Sequence, residues 1–234
     1  MPVADDVRRS GRTTSGVKQG LGAMTEAVSD RQPAPLTTRI AIQAAALDLF
    51  SRIGYPAASM REIARSVGIQ PASLYNHYSS KEDILWAICR EAMDELLHHV
   101  AEVLTDDAAP SEQLARFVSE HVRFHIDSRD AALVINRQLA SLTPEHYAEI
   151  TDMRDRYEHR LRGLLRRGVN EGVFRVPDTR LASYAILAMG LHVSVWYRPD
   201  GPLSPDDIIA TQVRLALQLV GAVPGAEPLP AASS

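Results

Sequence analysis

The stretch "VGIQPASLYNHYSSKEDIL", residues 67–85, decides how this chain is read. Gly68 and Pro71 punctuate its first half. Tyr75, Asn76, His77, Tyr78 and Lys81 follow, most of them too polar for a core. Apolar residues at helical spacing run up to this stretch and away from it, so it reads as a brief polar helix between two apolar ones. Its left edge is a stop signal, because glycine suits the left-handed backbone that ends a helix. Pro71 fits the first turn of the next helix, where a missing N–H costs nothing.

Upstream, Ser59 with Glu62 three residues later forms a capping box, which predicts a short helix from Met60 to Val67. Before it, Ile40, Ala44, Leu47 and then Phe50 or Ser51 repeat at helical spacing up to Gly54. Downstream, Ser80 with Asp83 caps a long amphipathic helix over about 81–104. Two short helices joined by a glycine-containing turn, after a longer apolar helix, make a helix-turn-helix. Such a unit lays its second helix in the DNA major groove, leading end towards the base edges. Gln70, Pro71, Ala72 and Ser73 form that end, where free N–H groups and partial positive charge favour phosphate. Leu74 is expected to pack inward. Tyr75, Asn76 and His77 can face the duplex, and Lys81 can reach its backbone. The plainer alternatives are that Tyr75 packs in the bundle and His77 caps a helix.

The run "ALDLFSRIGYPAASMREIARSVGIQPASLYNHYSSKEDIL" (46–85) resembles the DNA-binding part of TetR-type transcriptional regulators, with the likeness covering about residues 38–85. The resemblance implies an all-α protein with an N-terminal three-helix DNA-binding domain that reads palindromic double-stranded DNA as a homodimer. It also implies a helical C-terminal domain that binds a small-molecule effector and dimerises. By position, Ser59, Arg61, Tyr75, His77 and Lys81 would hold phosphates, and Gln70, Pro71, Ala72 and Ser73 would lie near bases. Ala72 departs from a side chain suited to readout, which implies few base contacts.

Further along, "INRQLASLTPEHYAEITDMRDRYEHRLRGLLRRGVNEGVF" (135–174) and "LASYAILAMGLHVSVWYRPDGPLS" (181–204) resemble the branch of that family that represses lipid and steroid catabolism and responds to acyl-CoA thioesters. A CoA thioester needs an apolar tunnel for its acyl part and cations for its phosphates. Arg137 stands among Val134, Ile135 and Leu139, an awkward place for a charge without a partner or ligand. His192 and Trp196 lie one helical turn apart, with Arg198 just beyond. Two readings stand for this group. Arg137, His192, Trp196 and Arg198 line an effector pocket, or Arg137 makes a structural salt bridge while His192 and Trp196 fill a dimer core. The basic run from Arg154 to Arg167 reads as a solvated face.

Composition limits the alternatives. The chain has 234 residues, 45% of them hydrophobic, enough to bury a sizeable core. The net charge of −4 is uneven, since residues 37–90 hold six basic and four acidic side chains. The N-terminal part is therefore the better partner for an anion. One cysteine, Cys89, excludes an internal disulfide framework and suits a reducing cytoplasm. No signal-peptide pattern appears, and the longest apolar run, 181–196, is short for a membrane span. No HExxH, P-loop, GxSxG or cysteine pair occurs, so no catalytic residue, metal or cofactor is expected. The competing class is a helical metal protein or enzyme using His121 and His125, which are one turn apart. The domains expected are a disordered tail over 1–36 (with a possible DNA-contacting arm at Arg8, Arg9 and Arg12), a DNA-binding domain over 37–83, an effector and dimerisation domain over 84–222, and a flexible tail over 223–234. Helices are expected near 111–127, 130–140, 144–170, 178–197 and 204–220.

Overall fold

In the computed structural model the described residues are 35–105 and 108–222. The expected disordered stretch up to residue 34, its three arginines and the tail from 223 lie outside them. Pro35 and Leu36, assigned from sequence to the tail, open the first helix instead. The helices are α1 (Pro35–Ile53), α2 (Met60–Val67), α3 (Pro71–Tyr75), α4 (Lys81–Val103), α5 (Pro110–Asp127), α6 (Arg129–Gln138), α7 (Pro144–Asn170), α8 (Thr179–Trp196) and α9 (Pro205–Leu219). A 3₁₀ turn, Leu139–Ser141, follows α6. Among the described residues there is no strand.

Local chemistry sets the boundaries around the helix-turn-helix. The Ser59 hydroxyl accepts from the Glu62 N–H, while the Ser59 N–H donates to the Glu62 carboxylate at 2.9 Å. This reciprocal box satisfies two donors that a helix start leaves unpaired. Gly68 ends α2 at φ 76°, a left-handed conformation costly for other residues. Pro71 then opens α3. The spacing predicts α3 to residue 77, but it stops at Tyr75. There the His77 N–H bonds to the Leu74 carbonyl at 2.9 Å, which closes a tight turn.

One buried cluster runs through the described fold from Ile42 to Val220. Ile42, Phe50, Ile63, Leu74 and Leu85 supply its N-terminal part. Burying a leucine such as Leu74 contributes about 1.5–3 kcal/mol. In the C-terminal part α5 packs against α4, α7, α8 and α9. Its close approach to α8 needs Gly190, where a β-carbon would lie 2.2 Å from the His121 ring. The longest link is α4, which leaves the helix-turn-helix and continues along α6 and α7. It is fastened to the start of α7: the His146 ring stacks on Trp86 at 4.3 Å, His146 Nδ1 lies 2.9 Å from Glu82, and the Trp86 N–H donates to Glu149 at 3.0 Å.

Candidate nucleic-acid interface and ligand cavity

Around α3, Gln70, Pro71, Ala72, Tyr75 and Asn76 are exposed, Ser73 and His77 are half-buried, and Leu74 is buried. Ser59 and Arg61 are exposed at the start of α2. A single surface therefore carries most of the groups expected to meet DNA, and its apolar anchor points inward. Two of the expected phosphate donors already have partners within the protein. The Lys81 ammonium donates to the carbonyls of Tyr55 and Ala58, both at 2.7 Å, and stands over the Tyr55 ring at 4.4 Å. Partial burial lowers its pKa. The Ser59 hydroxyl donates to the Glu62 carboxylate at 2.7 Å, which also holds that carboxyl below its ordinary value. Lys81 thus ties the loop between α1 and α2 to the start of α4, and Ser59 serves as a cap. Among the described residues the side chains of Arg61, Tyr75, Asn76 and His77 show no such tie.

The second site is a cavity of about 330 Å³ among α4, α5, α6, α7 and α8. Ala92, Met93, Leu96, Phe124, Ile135 and Leu187 make its wall mostly apolar. Two histidines of α5 face it. His121 Nε2 lies 3.1 Å from the Leu187 carbonyl, so it carries the proton, and Nδ1 accepts from the Tyr157 hydroxyl at 2.9 Å. The His125 ring meets His121 edge-on at 4.6 Å, and its Nδ1 is buried with no partner. Desolvation by burial pushes the imidazoles down, to about 4 for His121 and about 2 for His125. Both are neutral, so the wall adds no charge there. Arg154 on α7 is the one cation in the lining; its guanidinium donates to the Asn136 Oδ1. Glu158 also faces the cavity, already held by Arg162 and by the Ser183 hydroxyl.

A helix-turn-helix of this form, with a mostly apolar cavity in the helical half behind it, matches two family models. Residues 42–88 match "Bacterial regulatory proteins, tetR family", and residues 107–220 match "Tetracyclin repressor-like, C-terminal domain". The chain is 30% identical to the HTH-type transcriptional repressor KstR2 of Mycolicibacterium smegmatis over 82% of its own length and 94% of that protein. The chain belongs to the TetR family. Its fold is similar to a TetR-family regulatory protein from Rhodococcus RHA1, with TM-score 0.76, 34% identity, and coverage of 80% of this chain and 98% of that one. It is also similar to AibR in complex with isovaleryl coenzyme A and operator DNA, with TM-score 0.70, 27% identity, and coverage of 80% and 100%. TetR-family members are transcriptional regulators rather than enzymes, so the competing enzyme reading falls.

Within this TetR fold the expected ligand residues are not brought together. Arg137 is exposed and lines a polar cleft of about 440 Å³ with Phe50 and Gly54, across α6 from the apolar cavity. His192, Trp196 and Arg198 are exposed, and none lines that cavity. His192 and Trp196 belong instead to a stripe along α8 formed with Leu181, Tyr184 and Val195. The exposed Leu215 and Leu219 of α9 add to the apolar surface of this half. The His121–His125 pair does not chelate, because both ring nitrogens of His121 are engaged. Glu82, Asp83 and His146 lie close enough to hold an ion, but they sit in the first turns of α4 and α7. Helix N-termini disfavour a cation, and the carboxylates already accept from Thr143 N–H and from the Ser79 hydroxyl. Residues missed from sequence include Arg154, Asn136, Tyr157 and Tyr184. Only the one-turn spacing of His121 and His125 hinted at a special site. Arg154 was hidden in a run of arginines. No helix among the described residues is long and apolar enough to cross a membrane.

Proposed function

We propose that this TetR-family protein is a homodimeric repressor in the cytoplasm that binds an inverted-repeat operator and leaves it when an acyl-CoA thioester fills the cavity between α4 and α8. Residues 37–83 read the DNA and residues 84–222 bind the effector and the second copy. The observation that carries this reading is the apolar cavity of about 330 Å³, large enough for an acyl group and too small for a whole CoA. The charged end of CoA would stay outside. The similarity to AibR, described with isovaleryl coenzyme A and operator DNA, supports the ligand class. The name of the KstR2 relative supports repression. DNA contact falls to Arg61, Tyr75, Asn76 and His77, with Gln70, Pro71, Ala72 and Ser73 near the bases, while Ser59 and Lys81 position them.

An effector shifts the equilibrium only if it binds the DNA-free state better, so operator and effector weaken each other reciprocally. The test is fluorescence anisotropy with operator DNA, titrated with acyl-CoA thioesters, free CoA and free fatty acids. A thioester is expected to lower operator affinity about 5- to 150-fold, with free CoA doing little. Release by free fatty acid and by no thioester would refute the CoA reading and leave the repressor reading standing.

A further inference from the structure

The cavity holds one cation, and that cation lacks an anion. Arg156, Arg162 and Arg167 on the same helix each pair with a carboxylate four residues away. Among the described residues Arg154 has no such ion pair; its acceptor is the Asn136 Oδ1. Asn136 is itself fixed, because its amide donates to the Ala132 carbonyl at 2.8 Å. The guanidinium is thus oriented at the cavity wall with donors to spare, since arginine offers five N–H groups. Burial lowers its pKa, with the Cys89 thiol and the Tyr147 hydroxyl opposing that shift. A desolvated cation in an apolar wall calls for an acceptor.

Two acceptor classes compete, a carboxylate and a neutral carbonyl. The same lining carries Asp155, exposed at the rim, and Glu158, already paired with Arg162. Glu158 is thus neutralised by its partner, while Asp155 is exposed to solvent and makes no ion pair with Arg154 among the described residues. A carboxylate would have to shed its water to enter this mostly apolar cavity, a cost that a neutral carbonyl oxygen largely avoids. We propose that Arg154, held by Asn136, receives the thioester carbonyl of the effector, so that the site selects an acyl thioester over both a free acid and an alkyl thioether. The acyl chain then lies against Met93, Leu96, Phe124 and Ile135, and the CoA body leaves past the exposed Asn136, Asp155 and Tyr184. This rests on the acyl-CoA reading above and specifies which atom of the ligand is recognised.

The experiment is calorimetric titration of the full chain with straight-chain acyl-CoA thioesters from butanoyl to dodecanoyl. The tightest of them is then compared with its S-alkyl-CoA, in which a methylene replaces the carbonyl, and with the matching free acid. A hydrogen bond to a charged donor is expected to favour the thioester over the thioether about 10- to 100-fold. Arg154→Met should bring that ratio to about one, and Arg154→Lys should restore part of it. Equal binding of thioester and thioether by the native chain, or a preference that survives Arg154→Met, would overturn the assignment while the acyl-CoA reading stood. Tighter binding of the free acid would overturn it in favour of a carboxylate. If no CoA species bound although operator binding was normal, both readings would fall together.

Discussion

At the scale of single residues, the two buried histidines of α5 set a pH limit on the fold. In the unfolded chain both gain a proton as the pH falls through about 6.5. In the folded chain burial delays this to about 4 for His121 and about 2 for His125. The unfolded state therefore binds more protons in that window, so stability is full above about pH 6.5 and declines as the pH falls towards 4. For His121 alone the loss amounts to about 3 kcal/mol. Thermal unfolding followed from about pH 7.5 down to about pH 4.5 should show it. His125→Leu removes a buried imidazole whose Nδ1 has no hydrogen-bond partner, so its melting temperature should fall less steeply than the native one. Parallel curves would mean that His125 is not held neutral in the fold. Cys89 behaves differently. Burial pushes its thiol up to about 12, so the cysteine predicted to suit a reducing compartment is a packing residue and an inert thiol.

At the scale of elements, the starts of α2, α3 and α4 and the end of α2 were legible in the sequence because their signals are local and chemical. Ser59 with Glu62, Gly68, Pro71 and Ser80 each act within three residues of their own position. The cavity was not legible, because five helices far apart in sequence contribute to it. On α6 a rotation of about 100° per residue decides the matter. Ile135 and Asn136 face the cavity, whereas Arg137, the residue singled out from sequence, faces the cleft beside α1. Lys81 is a second case, since its sequence position fits a phosphate contact while its partly buried ammonium donates to carbonyls 23 and 26 residues away. Lys81→Ala should therefore act through the fold. Losing charge-assisted bonds to two carbonyls is expected to cost about 1–3 kcal/mol, read by chemical denaturation. Faster amide exchange is expected in the loop from Tyr55 to Ala58. The salt dependence of operator binding should keep its native slope. A slope reduced by about 1 would show instead that Lys81 meets a phosphate.

At the scale of the molecule, the apolar stripe on α8 is the feature a single chain does not explain. Leu181 is 64% exposed, Val195 48% and Trp196 41%, at spacings that place them along one helical face. Contiguous exposed apolar surface of this kind marks an interface. The occupant proposed here is a second copy with the same stripe, which is how a two-fold dimer is built. Leu181→Asp combined with Val195→Asp changes only exposed positions, so the helices should keep their circular dichroism. Sedimentation should then report a monomer, and operator affinity should collapse because one chain engages one half-site. A double variant that sedimented as the native protein does would place the interface elsewhere.

The continuity of α4 has a mechanical meaning. Its 23 residues form a rod of about 34 Å. Lys81 pins one end to the loop before the helix-turn-helix, Trp86 and Glu82 clasp it to α7, and Met93 and Leu96 form part of the cavity wall. Anything that swelled the wall at Met93 would bear on a stiff rod clasped to α7 at the Trp86–His146 stack. A tilt of about 5° displaces one end relative to the other by about 3 Å over that length. In the proposed dimer, two recognition helices would have to fit half-sites about 34–36 Å apart on a nearly rigid duplex. With the displacement occurring once in each copy, the reading heads would fall out of phase with the turn of the double helix.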